Sequence, residues 1–190
     1  MDFSTLSPAR RTIRRFEQRI VPDEMLKHLI DMARFASCAS NKQRLRYVII
    51  RENELVRKVF ETTAWAGMVA PKRTPKLGVD APLNFIAVTA PVNSGEIIHA
   101  DAGAAIQSIQ LAAWECGLGC CWFASFKKAE VTELLNIAPD REILYLIAVG
   151  FPAENPVGEK AVDGNVAYYL DENDVLHVPK LPVDELCSWM

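Results

Sequence analysis

Two runs, LNFIAVTA (residues 83–90) and ILYLIAVGF (residues 143–151), are apolar almost from end to end. A strand with one wet face alternates apolar and polar residues, whereas an unbroken apolar run has both faces buried. The sheet they form therefore has to lie inside the molecule, under helices. Two shorter β-rich runs, YVII (residues 47–50) and CCWFA (residues 120–124), are candidates for its other strands. The segment DAGAAIQSIQLAAWECGLG (residues 101–119) is apolar almost all round. It predicts a helix buried at the centre, or buried partly in a subunit interface. Asp101 suits its N-cap and Gly117 or Gly119 its C-terminus.

The remaining pattern is helical on either side of these strands. A first helix ends near the arginines at positions 10–15. A second begins after Pro22 with Asp23 as N-cap, carries Leu26, Leu29, Ile30 and Ala33 on one stripe, and stops around residues 35–38. Residues 127–137 read as an amphipathic helix with Val131, Leu134 and Leu135 inward. VAYYL, DEND and VLHVPKL then read as a hairpin with a four-residue turn. The tail LPVDELCSWM is apolar enough to suggest docking on a second subunit. Residues 61–82, broken by Pro71, Pro75 and Pro82, fit either a binding loop or a surface excursion with one short helix. The expected fold class is α+β, a mixed or mostly antiparallel central sheet flanked by helices.

At 190 residues the chain suits one domain. A net charge of −3 argues against general nucleic-acid binding. No stretch reaches the length of a membrane-spanning helix, and MDFSTLSPARR lacks a signal-peptide core, so the expected location is cytoplasmic. Cys38, Cys116, Cys120, Cys121 and Cys187 read as reduced thiols, with Cys120 and Cys121 on opposite faces of a strand. His28, His99 and His177 stand far apart, without ligand spacing, and no metal site is expected. There is no candidate triad and no phosphate-binding loop of the nucleotide-hydrolase type.

Chemistry has three candidate places. The first is RRTIRRF (residues 10–16), with four arginines in six residues and Thr12 between them. Guanidinium forks suit phosphate. On a helix, Arg10 and Arg14 would share a face, as would Arg11 and Arg15. A solvated basic helix face is the competing reading. The second is ASNKQ (residues 39–43), with Ser40, Asn41 and Gln43 suited to a polar heterocycle or simply to a turn. The third is GLGCCWFAS (residues 117–125), which is not the dinucleotide fingerprint because Trp122 stands where its third glycine belongs.

The order of RRTIRRF, SCASNKQRL, DAGAAIQSIQLAAWECGLG and LIAVGFP resembles the nitroreductase family of FMN-dependent oxidoreductases, over residues 8–153. The resemblance implies an intertwined homodimer with two FMN sites at the interface, formed by a single domain over residues 1–190. It places Arg10, Arg11, Thr12 and Arg14 at the FMN phosphate, ribityl chain and pyrimidine edge. It places Cys38, Ser40, Asn41 and Gln43 on the loop from the second subunit, Ala124 and Ser125 by the flavin ring, and Lys180 at the phosphate. The hairpin and tail, residues 160–190, would dock on the partner. The chain departs from the pattern at Ser37, Cys38, Arg44, Leu45 and Leu181. The implied activity is hydride transfer from NADH or NADPH, through FMN, to a nitroaromatic, quinone or other small acceptor by a ping-pong mechanism. The flavin carries the chemistry, so no protein catalytic residue is needed. Two alternatives are a flavin-sequestering dimer with little turnover and a basic docking surface for an acidic partner.

Overall fold

A computed structural model describes residues 2–65 and 67–190; Met1, and Ala66 within the segment 61–82, lie outside the described residues. The central sheet has strands β1 (Arg46–Ile50), β2 (Asn84–Pro91), β3 (Gly119–Phe123) and β4 (Arg141–Gly150), in the order β1-β2-β4-β3. Every neighbouring pair is antiparallel. As the apolar runs require, β2 and β4 are the two inner strands, and both have buried faces.

The two faces carry two separate cores. Ile86, Val88, Ile147 and Val149 point into one, and Phe85, Ala87, Leu146 and Ala148 into the other. A bulge opposite Val88 and Thr89 breaks this alternation, so Ile143 joins the second core and Leu144 the first. Helices α2 (Asp23–Ala33) and α4 (Ile97–Glu115) cover the first face. Helices α3 (Asn53–Glu61) and α5 (Lys128–Leu134) cover the second. Cys120 and Cys121 fall in opposite cores, as adjacent strand residues must. Burial pushes both thiols up to about 12, which leaves them inert.

Helix α4 starts four residues before the predicted cap. Asp101 is therefore no cap; it lies inside the helix and is buried. The other end closes as expected after Glu115, with Leu118 N–H donating to Ala113 O and Gly117 N–H to Trp114 O. Asp23 is likewise the first helical residue rather than the cap, which is Pro22; its carboxylate pairs with Arg51.

Residues 62–82 form an excursion tied back at several of its described residues, two of them through buried side chains. Trp65 is buried edge-on to Phe123, with ring centroids 4.6 Å apart, and its indole N–H donates to Thr63 Oγ1. Arg73 is buried farther along. Between them Gly67–Val69 makes one 3₁₀ turn.

A second sheet follows β4 in the chain. It has strands β5 (Val157–Lys160), β6 (Tyr169–Leu170) and β7 (Leu176–Lys180), in the order β5-β7-β6. β6 and β7 are the predicted hairpin, and β5 adds a parallel strand to it. The tail forms α6 (Val183–Leu186) and leaves Trp189 95 % exposed.

Candidate anion-binding site

The arginine segment is not helical. Helix α1 (Phe3–Ala9) ends at Arg10, whose φ of −59° and ψ of 128° turn the chain into an extended run. Thr12 bridges Cys120 in parallel, Ile13 N–H donates to Cys120 O at 2.9 Å, and Phe16 N–H donates to Asp80 O at 2.9 Å. The run therefore continues the sheet at the β3 edge. What decides this is burial. Ile13 and Phe16 are fully buried in the second core, and each such side chain is worth about 1.5–3 kcal/mol. That outweighs helix propensity, which differs by only tenths of a kcal/mol per residue among such side chains. Ile13 lies close over β3 because position 119 is glycine; a Cβ there would collide with its side chain.

The extended run and the second sheet meet around a small concavity of about 70 Å³, lined by Arg10, Arg11, Thr12, Arg14, Tyr168, Val178 and Lys180. The Arg11 guanidinium lies over Gly158, where any β-carbon would meet it, and donates to the carbonyls of Arg10 and Pro8. The Arg14 guanidinium sits 5.3 Å from the Tyr168 ring centroid, a cation–π distance.

This concavity is electrostatically incomplete. Among the described residues, Arg10, Arg11, Arg14 and Lys180 pair with no carboxylate. The Nε atoms of Arg10 and Arg11 are buried without a hydrogen-bond partner. Burial, and then the charge of Arg11, pull the Arg10 pKa down; burial does the same to Arg11. A buried donor left unpaired costs about 1–3 kcal/mol. A dense set of guanidinium donors around a hollow of this size suits a phosphate group.

The second candidate loop is built separately. It runs through a 3₁₀ turn, Ala39–Asn41, in which Ser40 and Asn41 both have φ of 51°, with Gln43 following at φ of 45°. Left-handed backbone at three non-glycine positions is strained, and such strain clusters at functional sites. The loop is fastened by Asp101, whose Oδ1 accepts from Ala39 N–H at 2.8 Å and whose Oδ2 lies 3.5 Å from Arg44. Cys38 and Gln43 line a cavity of about 160 Å³ with Arg44, Tyr47 and Asp101. Burial is the main force pushing the Tyr47 hydroxyl up to about 12. Ser40 and Asn41 are exposed.

Comparison with known proteins decides the family. The nitroreductase family model matches residues 8–151. The chain belongs to the nitroreductase family. It is 29 % identical over 164 residues to a protein of Methanothermobacter thermautotrophicus named "Putative NADH dehydrogenase/NAD(P)H nitroreductase", covering 82 % of this chain and 80 % of that one. A nitroreductase family protein from Clostridium novyi NT superposes with a TM-score of 0.68 at 25 % identity, covering 80 % of this chain and 86 % of the other. An FMN and NADPH-dependent nitroreductase from Sphigopyxis sp. strain HMH shares the fold with a TM-score of 0.73 at 17 % identity, over 100 % and 99 % of the two chains. Membership of the nitroreductase family makes the chain an oxidoreductase.

In this nitroreductase-family chain the expected residues fall into three groups. Arg10, Arg11, Thr12, Arg14 and Lys180 come together in the concavity, although Lys180 is far away in sequence. Cys38, Ser40, Asn41 and Gln43 share the strained loop, which shares no lining residue with that concavity in a single chain. Ala124 and Ser125 lie exposed just past β3, where Ser125 O accepts from Ala64 N–H. Sequence reasoning does not single out Tyr168 or Gly158, and it takes Asp101 for a helix cap rather than a loop anchor. A glycine in a short strand and a tyrosine just before another carry no signal of their own. Asp101 does carry one, because an acid one turn inside an apolar helix needs a buried partner.

Proposed function

We propose that this protein is an FMN-dependent NAD(P)H oxidoreductase working as a homodimer. The observation that carries the reading is the half-buried basic cradle in which the Nε–H groups of Arg10 and Arg11 are buried without a partner. Arg10, Arg11, Thr12 and Lys180 hold the FMN phosphate there. Arg14, steadied over Tyr168, reaches toward the pyrimidine edge and offsets negative charge that develops on it. Exposed Ala124 and Ser125 offer backbone groups beside the ring. Ser40, Asn41 and Gln43 of the partner subunit, on the loop held by Asp101, close the site from the other side. Two observations favour that assembly: in one chain the strained loop and the cradle are separate, and the tail leaves Val183, Leu186 and Trp189 exposed. The whole chain, residues 1–190, acts as one FMN-binding domain, with residues 160–190 docking on the partner.

Bound FMN supplies two-electron chemistry, taking hydride from NADH or NADPH and giving it to a nitroaromatic, quinone or other small acceptor in a ping-pong cycle. The chain's own work is binding, orientation and charge compensation. Neither an acid nor a base from the protein is needed. Cys38 serves as a small side chain of the loop and not as a redox partner, since Cys120 and Cys121 are buried on other elements. The deciding measurement is steady-state NAD(P)H oxidation by the flavin-loaded protein with menadione or a nitroaromatic. Turnover with parallel double-reciprocal lines supports the proposal. Tight FMN binding without turnover would make the protein a flavin-sequestering dimer instead, and a preparation that takes up no FMN would end the reading altogether.

A further inference from the structure

The backbone that presents Arg14 is not held by the sheet alone. Just beyond the Ile13–Cys120 bond, the N–H groups of Arg14 and Arg15 both donate to one carboxylate oxygen, Glu154 Oε1, the second at 3.1 Å. Glu154 follows the end of β4, about 140 residues farther along. Its side chain is only 5 % exposed, so its charge must be balanced nearby. The balance comes from the excursion at 62–82: Arg73, with its side chain 3 % exposed, faces Glu154 Oε2 across 3.6 Å, an ion pair without a hydrogen bond. Arg73 is itself held by Asp174, whose carboxylate lies 3.4 Å from Nη1 and whose carbonyl accepts from Nη2. Asp174 sits in the turn between β6 and β7, and β7 carries Lys180.

We infer that Glu154 and Arg73 are positioning residues for the anion cradle: Glu154 clamps the backbone at Arg14 and Arg15, and Arg73 keeps that clamp charge-balanced while tying it to the hairpin that delivers Lys180. The excursion thus has a function that neither a free lid nor an idle surface loop would give it. Its buried arginine sits behind the cradle and fixes two of its walls, the extended run and the second sheet. The inference rests on the cradle being the FMN phosphate site, and it adds to that reading the residues that hold the site in shape.

The charge logic supplies its own test. Glutamine at 154 keeps an oxygen acceptor for the two N–H groups and carries no charge, so it no longer needs a cation opposite. FMN affinity by flavin-fluorescence titration and the melting temperature of the flavin-free protein are measured for wild type, Arg73→Met, Glu154→Gln and the double variant. Arg73→Met should bind FMN at least about tenfold more weakly. The double variant should recover to within about threefold of Glu154→Gln. If Arg73→Met is insoluble, a soluble, FMN-binding double variant carries the same meaning, and an insoluble one counts against the inference. Unchanged FMN affinity in Arg73→Met, or equal loss in Arg73→Met and the double variant, would overturn it. Failure of the wild type itself to bind FMN would instead remove the functional reading. Inorganic phosphate as the titrant would then test the clamp on the same four proteins.

Discussion

The molecule has two arginine clusters side by side, and they are built on opposite terms. Arg10, Arg11 and Arg14, with Lys180, face a hollow and no carboxylate. Arg15 and Arg73 lie among Asp80, Glu154 and Asp174 at 3.1–3.6 Å. Residues 14 and 15 are neighbours in sequence, and an extended backbone sends them to opposite sides. One side collects positive charge that the fold leaves uncompensated. The other neutralises its charge internally and uses it to tie the excursion and the hairpin to the arginine run. A run of arginines is therefore not one feature. The same residue type is ligand machinery on one face and structural cement on the other, and the deciding variable is whether the fold supplies a carboxylate.

The contrast is broken most sharply by substitution in the uncompensated cluster. Charge-assisted hydrogen bonds contribute about 1.5–3 kcal/mol each, so Arg10→Ala or Arg11→Ala should weaken FMN binding about tenfold to a hundredfold. Each change also removes a half-buried cation that its neighbour repels. The flavin-free protein should therefore melt no lower than wild type. Calorimetry and flavin titration on the same samples check both halves. A lowered melting temperature with unchanged FMN affinity would mean that this cluster, too, is structural.

Within the paired cluster, the Arg15–Asp80 pair, which takes no part in the Glu154–Arg73 clamp, should respond the other way and more weakly. Asp80→Asn removes the partner 3.3 Å from Arg15 while an amide oxygen can still accept from Lys76 N–H. The Arg15 side chain is 30 % exposed, so the pair is partly screened and worth about 0.2–1 kcal/mol. We expect the melting temperature to fall by about 1–3 °C, with FMN affinity within about twofold of wild type. A tenfold loss of FMN affinity here would show that Asp80, like Glu154 and Arg73, positions the cradle.

Much of this architecture is legible in the sequence, and the rest is hidden for identifiable reasons. β2, β4 and α4 announce themselves because burial on every side leaves an apolar run that only an interior can accept. Helix α3 was equally open to reading: Leu55, Val56, Val59 and Phe60 fall at helical spacing, and Glu52 accepts from Glu54 and Leu55 N–H at its start. β5, by contrast, is VGEK, with no apolar pattern; only its parallel pairing with β7 makes it a strand. The identity of the arginines was legible and their conformation was not. Helical spacing is a local property, whereas the bond from Ile13 to Cys120 and the clamp at Glu154 come from far along the chain. Asp101 fails the same way: a cap-like residue near the start of a helix proves to anchor a loop 62 positions away.

The smallest expected effect tests how firmly Lys180 belongs to the uncompensated side. β7 also carries His177, whose Nδ1 lies 2.7 Å from Glu159 Oε2 on β5 and whose Nε2 lies 3.5 Å from Asp171 Oδ2, at the β6 end of the turn. The Tyr169 ring stacks on it at 4.9 Å and donates its hydroxyl to Glu159. The bond to Glu159 is the main cause raising the His177 pKa above its ordinary 6.5, and the carboxylates of Glu159 and Asp171 are held below their ordinary values. The signs follow from linkage. A histidine with a raised folded pKa contributes fully below 6.5 and loses that contribution as pH rises through the raised value. The carboxylates contribute above their ordinary 4.5 and 3.8 and lose it as pH falls through their depressed values. The clasp across β5, β7 and the turn is thus tightest in mildly acidic solution and loosens as pH rises through the raised histidine value. FMN affinity should decline about two- to threefold between pH 7 and 9, where the FMN phosphate is already fully ionised. His177→Gln should flatten that decline and leave affinity at pH 9 near the wild-type value. Parallel pH curves for the two proteins would mean that the second sheet holds Lys180 in place without help from the histidine clasp.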